Sequence, residues 1–234
     1  MSTEKISGLN SIRSLVKSMS VISSGTLASR ILGFVRDIIL AKFFGTGFRA
    51  DAFFVAFRIP NLFRDLVGEG AANSAVVPVF SEYLQREKEE YFWRFVSIVL
   101  VFAILVLTAI TLLGVLLAPM IVRVMAPGFI GDPAKLMLTV RLTKIVFPYL
   151  IFIGLTAYSM AILYTFRKFA VPAFSPCLLN IVIIISALFS TRFLAEPMYG
   201  LAIGVLIGGV LQMAVQIPPL MKIGYKFQKP ATMR

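Results

Sequence analysis

The sequence contains no histidine and a single cysteine, Cys177, and only 15% of its 234 residues are charged. Without histidine, a Ser-His or Cys-His nucleophile pair, a zinc site of the usual ligands and a histidine proton relay are all excluded. No catalytic residue, metal site or cofactor is implied, and the chain is not expected to be an enzyme. One cysteine cannot form an intramolecular disulfide, and its place in an apolar run makes it a small packing residue. A soluble globular chain carries about 25% charged residues. Here apolar residues take their place: 59% are hydrophobic and the mean hydropathy is +0.90, the composition of a membrane protein.

Four runs carry no charge, at 95–122, 145–166, 170–191 and 197–221. Each supplies the roughly 20 residues that cross a hydrocarbon core about 30 Å thick, and a single segment in lipid satisfies its backbone only as a helix. Two further segments, 18–45 and 50–80, are long enough but interrupted by charge. The reading is an all-α polytopic bundle of six transmembrane helices, at about 18–45, 50–80, 95–122, 139–166, 170–191 and 197–221. Residues 1–17 are expected to be a cytoplasmic N-terminal segment and 222–234 a cytoplasmic tail. The basic start runs into a Ser-rich and then Arg-containing stretch, so no removable signal peptide is expected.

The net charge of +12 raises the question of nucleic acid, and the positions of the 23 basic residues answer it. With the N-terminus inside, twelve of them, including Lys5, Arg86, Arg167, Lys168 and Lys222, fall in cytoplasmic segments. Five, Lys42, Arg49, Arg123, Lys135 and Arg192, fall in outer loops, with Arg141 and Lys144 on the fourth helix. That bias places both termini in the cytoplasm and leaves no nucleic-acid domain. The acidic run at 87–90 is expected to be a solvated loop.

Four arginines remain, Arg30, Arg36, Arg58 and Arg64, all in the first two helices. A central arginine costs roughly 2.5 to 3.5 kcal/mol on insertion scales, so these must face partner charges or a water-filled cavity. Arg30 and Asp37, Asp51 and Arg58, and Arg58 and Asp65 are each seven residues apart. Such pairs share a helix face but lie about 10 Å apart along the axis, so pairing must cross between helices or be bridged. A purely structural ion-pair network would account for Asp37, Asp65 and Arg58, but four arginines outnumber three acids. An unpaired arginine in a bilayer asks for an anion, and its planar fork suits phosphate. Gly33 lies between Arg30 and Arg36, and Pro60, Gly68 and Gly70 interrupt the second segment. These four are candidate hinges beside a cavity. Gly200, Gly204 and Gly208 recur every four residues, which suits close helix contact within the bundle.

The stretches "SRILGFVRD" (29–37), "ADAFFVAFRIPNLFRDLVGEGAANSAVVPVFSEY" (50–83), "APGF" (126–129), "FPY" (147–149) and "PAFSPCLLN" (172–180) resemble the MurJ (MviN) lipid II flippases in order and spacing. The resemblance implies one lobe of a two-lobe exporter fold, in the bacterial cytoplasmic (inner) membrane and surrounded by its lipids. Its substrate would be lipid II, the undecaprenyl-diphosphate-linked peptidoglycan precursor, and its mechanism alternating access. It carries functional roles to Arg30, Arg36, Asp51 and Arg64, with Arg30 and Arg64 facing the diphosphate, and a supporting role to Arg58; Asp37 and Asp65 are supporting acids on the ion-pair reading. The chain ends after the sixth expected span, so a C-terminal lobe is the expected partner. Two other readings are a flippase for another lipid-linked glycan and a non-transporting scaffold for cell-wall synthesis.

Overall fold

The computed structural model describes the backbone of residues 2–45, 47–64 and 75–228, and side chains from residue 16 onward within those ranges except 63 and 64. Every regular element among the described residues is helical. In chain order these are α1 (Ser2–Phe44), α2 (Phe48–Arg64), α3 (Val77–Arg86), α4 (Glu89–Leu116) and α5 (Ala118–Met125), then α6 (Pro133–Val146), α7 (Tyr149–Thr165), α8 (Ala170–Phe193), α9 (Pro197–Ala214) and α10 (Ile217–Lys222). A 3-10 turn, Pro127–Phe129, joins α5 to α6.

Proline and glycine set most of the boundaries. Pro78, Pro119, Pro133, Pro197 and Pro218 stand in the first turns of α3, α5, α6, α9 and α10, where a missing N–H leaves no intrahelical bond unmade. Gly45 ends α1 in the left-handed region, at φ +60°, and its N–H closes on the Ala41 carbonyl at 2.9 Å.

Helix α1 is 43 residues long, about 65 Å if straight. It begins well ahead of residue 18 and continues unbroken through Gly33. The stretch expected as one helix at 95–122 is α4 followed, after a corner at Leu117, by α5. The fourth is α6 and α7, bent at Phe147 and Pro148. Of the run at 87–90, Glu87 and Lys88 form the exposed link between α3 and α4, while Glu89 and Glu90 form the first turn of α4. Acidic side chains are favoured there by the unpaired N–H groups and the helix dipole, and Glu89 also accepts a bond from Trp93 Nε1 at 3.2 Å. Four stretches are long and apolar enough to cross a membrane: Glu89–Leu116, Pro133–Thr165, Ala170–Phe193 and Pro197–Lys222.

Helix α8 is the spine of the bundle, with α1 against one side and α9 against the other. Helix α2 packs chiefly on α6 and touches α1 only briefly. Both faces of α8 are approached through small residues. A Cβ on Gly25 would run into the Ala173 backbone, one on Gly204 into Ser186, and one on Gly208 into Leu179. Lipid tails are as apolar as leucine, so helices in a bilayer gain by close packing and not by escaping water. The tandem glycines therefore serve contact inside the lobe.

Two packed centres result. The larger gathers Phe53, Phe57, Leu142, Phe147, Tyr149, Leu179, Ile183 and Leu201 from α2, α6, α7, α8 and α9. The smaller is aromatic and lies where α3, α4 and α7 meet: Trp93 stacks on Phe166 at 5.6 Å, and Phe80 meets Tyr158 edge-on at 6.0 Å. The chain beyond α10 folds back onto it. Tyr225 sits edge-on to Trp93 at 5.5 Å, and the Gln228 N–H donates to the buried Ser97 hydroxyl at 3.0 Å.

Gly204→Val should lower the stability of the purified protein by about 1 to 3 kcal/mol, the usual cost of overpacking, read as a lower midpoint of thermal unfolding in detergent. Gly128→Ala, where a Cβ meets nothing within 4 Å, should leave that midpoint unchanged.

Candidate functional site

Arg36 is the most heavily bonded cation among the described residues. Its Nε and Nη2 donate to Asp37 Oδ1 at 3.0 and 2.8 Å, and its Nη1 donates to Asn180 Oδ1 at 2.9 Å. The other end of the Asn180 amide, Nδ2, donates to the Ser29 carbonyl at 3.1 Å. The guanidinium also stands 5.8 Å from the centre of the Phe57 ring. Three helices thus converge on one side chain: α1 carries it, α8 supplies Asn180, and α2 supplies the ring. Gly33 faces the same amide, and a Cβ there would meet Asn180 Nδ2 in ordinary contact at 3.7 Å.

The side chain of Arg36 is 19% exposed and that of Asp37 is 58% exposed. Consecutive residues on a helix point to different faces, and the long arginine chain curls round to reach its neighbour. Asp37 is therefore engaged by Arg36, although its spacing places it on the face of Arg30.

Asp51 lies in the first turn of α2. Its Oδ2 accepts from Lys135 Nζ, on α6, at 2.6 Å. Two residues earlier Arg49 pairs with Glu196, just ahead of α9, at 3.0 Å. The start of α2 is thereby tied to two other helices.

With Asp37 on Arg36 and Asp51 on Lys135, no carboxylate among the described residues pairs with Arg30 or Arg58. Both are exposed. Arg58 follows Phe57, which packs under Arg36, so it lies beside the α1–α2 contact. Arg30 lies about 9 Å along α1 from Arg36. Pro60 is buried inside α2. The backbone of Arg64 ends α2, while its side chain, with Asp65, Gly68 and Gly70, lies outside the described residues.

Two partners were not singled out from the sequence. Asn180 had a signal: it is a lone amide inside an apolar run, and such side chains bond across membrane helices. Lys135 had none, since its expected loop position gave no reason to pair it with Asp51. A separate groove of about 560 Å³ opens between α1, α3 and the end of α7, lined by Ile22, Ser81, Gln85, Tyr164 and Arg167. Neither Arg30 nor Arg58 lines it.

A sequence model of the family "Lipid II flippase MurJ" matches residues 40–234. A Burkholderia cenocepacia protein named lipid II flippase MurJ is 40% identical over 212 residues, covering 89% of this chain and 40% of the relative. A Buchnera aphidicola protein, from the subspecies of Acyrthosiphon pisum, is named "Probable lipid II flippase MurJ". It is 41% identical over 209 residues, covering 89% of this chain and 41% of its own length. A solved structure titled lipid II flippase MurJ, inward closed conformation, superposes with a TM-score of 0.74 at 35% identity, over 88% of this chain and 43% of that one. The chain thus spans about two fifths of the length of the relatives it matches.

Asn180→Leu removes both bonds that clasp α1 to α8 at Arg36. Interhelical hydrogen bonds in membranes average about 0.6 kcal/mol and reach about 1.7, so a loss of about 1 kcal/mol is expected in equilibrium unfolding. Cysteines placed on the α1 face toward α8 should also become more reactive.

Proposed function

Because the chain belongs to the MurJ lipid II flippase family, we propose that it is the N-terminal, diphosphate-binding lobe of a lipid II flippase. The observation that supports this most directly is the division among the arginines. Arg36 is fixed by three helices, while Arg30 and Arg58 stand exposed with no carboxylate paired to them among the described residues.

In a bilayer such groups need an anion or the water of a cavity. A diphosphate offers several acceptor oxygens, and a guanidinium binds phosphate oxygens two at a time through parallel charge-assisted bonds. Arg30, Arg36 and Arg64 are assigned to the diphosphate and Arg58 to support. Asp51 is assigned to the same path near the start of α2. The transporter makes and breaks no covalent bond: it moves the headgroup while the polyprenyl tail stays in lipid.

A single lobe has no opposite wall. The proposed cavity is closed by a second lobe, and alternating access rocks one against the other around the bound headgroup, with Gly33, Pro60, Gly68 and Gly70 as the places where α1 and the α2 region bend. Six spans are assigned: α1, the α2–α3 region, α4–α5, α6–α7, α8, and α9–α10. Both termini are placed in the cytoplasm. Arg86, Lys88, Arg167 and Lys168 cluster at the end where α3 and α7 finish and α4 and α8 begin, as a cytoplasmic end requires.

In the two-lobe protein containing this chain, Arg30→Ala and Arg64→Ala should each lower lipid II flipping by about tenfold to a hundredfold, the loss of a charged hydrogen bond worth about 1.5 to 3 kcal/mol. Membrane insertion should be unchanged, and Arg58→Ala should have a smaller effect. The measurement is rescue of a bacterium depleted of its own lipid II flippase, with the amount of inserted protein followed in parallel. Full rescue by the Arg30 and Arg64 variants would remove the diphosphate assignment.

A further inference from the structure

The contact between α2 and α6 holds a cation placed with more care than an incidental surface pair needs. Lys135 sits in the first turn of α6, where its own backbone N–H donates to the capping carboxylate of Asp132 at 3.0 Å. Its Nζ donates to Asp51 Oδ2 at 2.6 Å and lies 4.2 Å from the centre of the Phe129 ring. The Lys135 side chain is 17% exposed and that of Asp51 46% exposed. The ammonium is thus enclosed between a carboxylate and an aromatic face, and its stem is anchored by the helix cap. The nearby Arg49 is engaged by Glu196, so Asp51 has one cation, and that cation comes from a different helix.

We propose that Lys135 is the positioning residue for Asp51. It fixes one carboxylate oxygen and locks the first turn of α2 onto α6, so that the other oxygen is presented outward at that end of the lobe. The proposal rests on the reading of Asp51 as part of the substrate path. A tie that served folding alone would need opposite charges at the two positions and would be indifferent to which helix carried the carboxylate. A positioning role needs the carboxylate on α2.

The test uses the two-lobe protein containing this chain, in membranes. A water-soluble carbodiimide activates the Asp51 carboxyl; Lys135 Nζ attacks the activated carbonyl, an amide forms and the carbodiimide leaves as its urea. Mass spectrometry should find the 51–135 cross-link in the unsubstituted protein and not in Lys135→Met. Lys135→Met should lower flipping by about tenfold or more, the loss of one charge-assisted bond, while Lys135→Arg keeps most of it. The exchange Asp51→Lys with Lys135→Asp should restore thermal stability and leave flipping low.

No cross-link in folded, unsubstituted protein overturns the pairing, even if Lys135→Met fails to fold. Unchanged flipping in Lys135→Met, or flipping restored by the exchange, overturns the positioning role. If the unsubstituted protein forms the cross-link and moves no lipid II, the flippase reading fails and the assigned role of Lys135 in transport fails with it, while the pairing itself stands.

Discussion

A guanidinium held in hydrocarbon must find its hydrogen-bond partners inside the protein, in a cavity or on a ligand, and the first two helices are organised around that requirement. Each such group costs roughly 2.5 to 3.5 kcal/mol on insertion scales, while a hydrogen bond to a charged group returns about 1.5 to 3 kcal/mol. Arg36 meets the cost with a carboxylate, an amide and a ring. Once so held it is a fixed charge with a fixed direction. Arg30 and Arg58 are exposed and lack an acid among the described residues, so their solvation falls to whatever fills the space beside them. Among the described residues the lobe thus separates an arginine with protein partners from arginines without a paired acid.

The packing serves this division. Helix α8 offers a small-residue face to α1 at Ala173 and another to α9 at Ser186, and closeness on both sides brings Asn180 within reach of Arg36. Helix α1 rests mainly on α8, and α2 mainly on α6. The two helices that carry the arginines are therefore seated on different neighbours, and Arg36 over Phe57 is one link between them. A shift of α1 on α8 would move Arg30 and Arg36 together while leaving Arg58 with α2.

Much of this was legible in the sequence, and the exceptions share a cause. Charge-free runs marked four of the spans because lipid admits few alternatives to an apolar helix. The surplus of arginine over acid was legible as a count. Which acid each base would choose was not, because seven-residue spacing locates a face and says nothing of side-chain reach. Arg36 turns to the adjacent Asp37, and Asp51 crosses to Lys135, a residue 84 positions away. Glu89 and Glu90 read as loop because charge suggested solvent, when the same charge also suits the start of a helix. Phe147 and Pro148 lay inside an uninterrupted apolar run, so hydropathy carried no sign of the bend between α6 and α7.

The two ends of the lobe are secured by different mixtures of forces. At the end where α3 and α7 finish, Trp93, Phe166, Phe80, Tyr158 and Tyr225 interlock, each aromatic pair adding about 0.5 to 1.5 kcal/mol beyond its buried area. At the end where α2 begins, ionic ties are added to an apolar contact in which Ala50 and Phe53 are buried beside Leu40 and Met198. Arg49 and Glu196 are half exposed, and such pairs contribute about 0 to 1 kcal/mol and weaken with salt. The aromatic contacts are not screened by salt. The Asp51–Lys135 pair, with its lysine side chain 17% exposed, is better shielded than Arg49–Glu196. Salt therefore weakens the tie of α2 toward α9 at Arg49 more than the tie of α2 to α6 at Lys135.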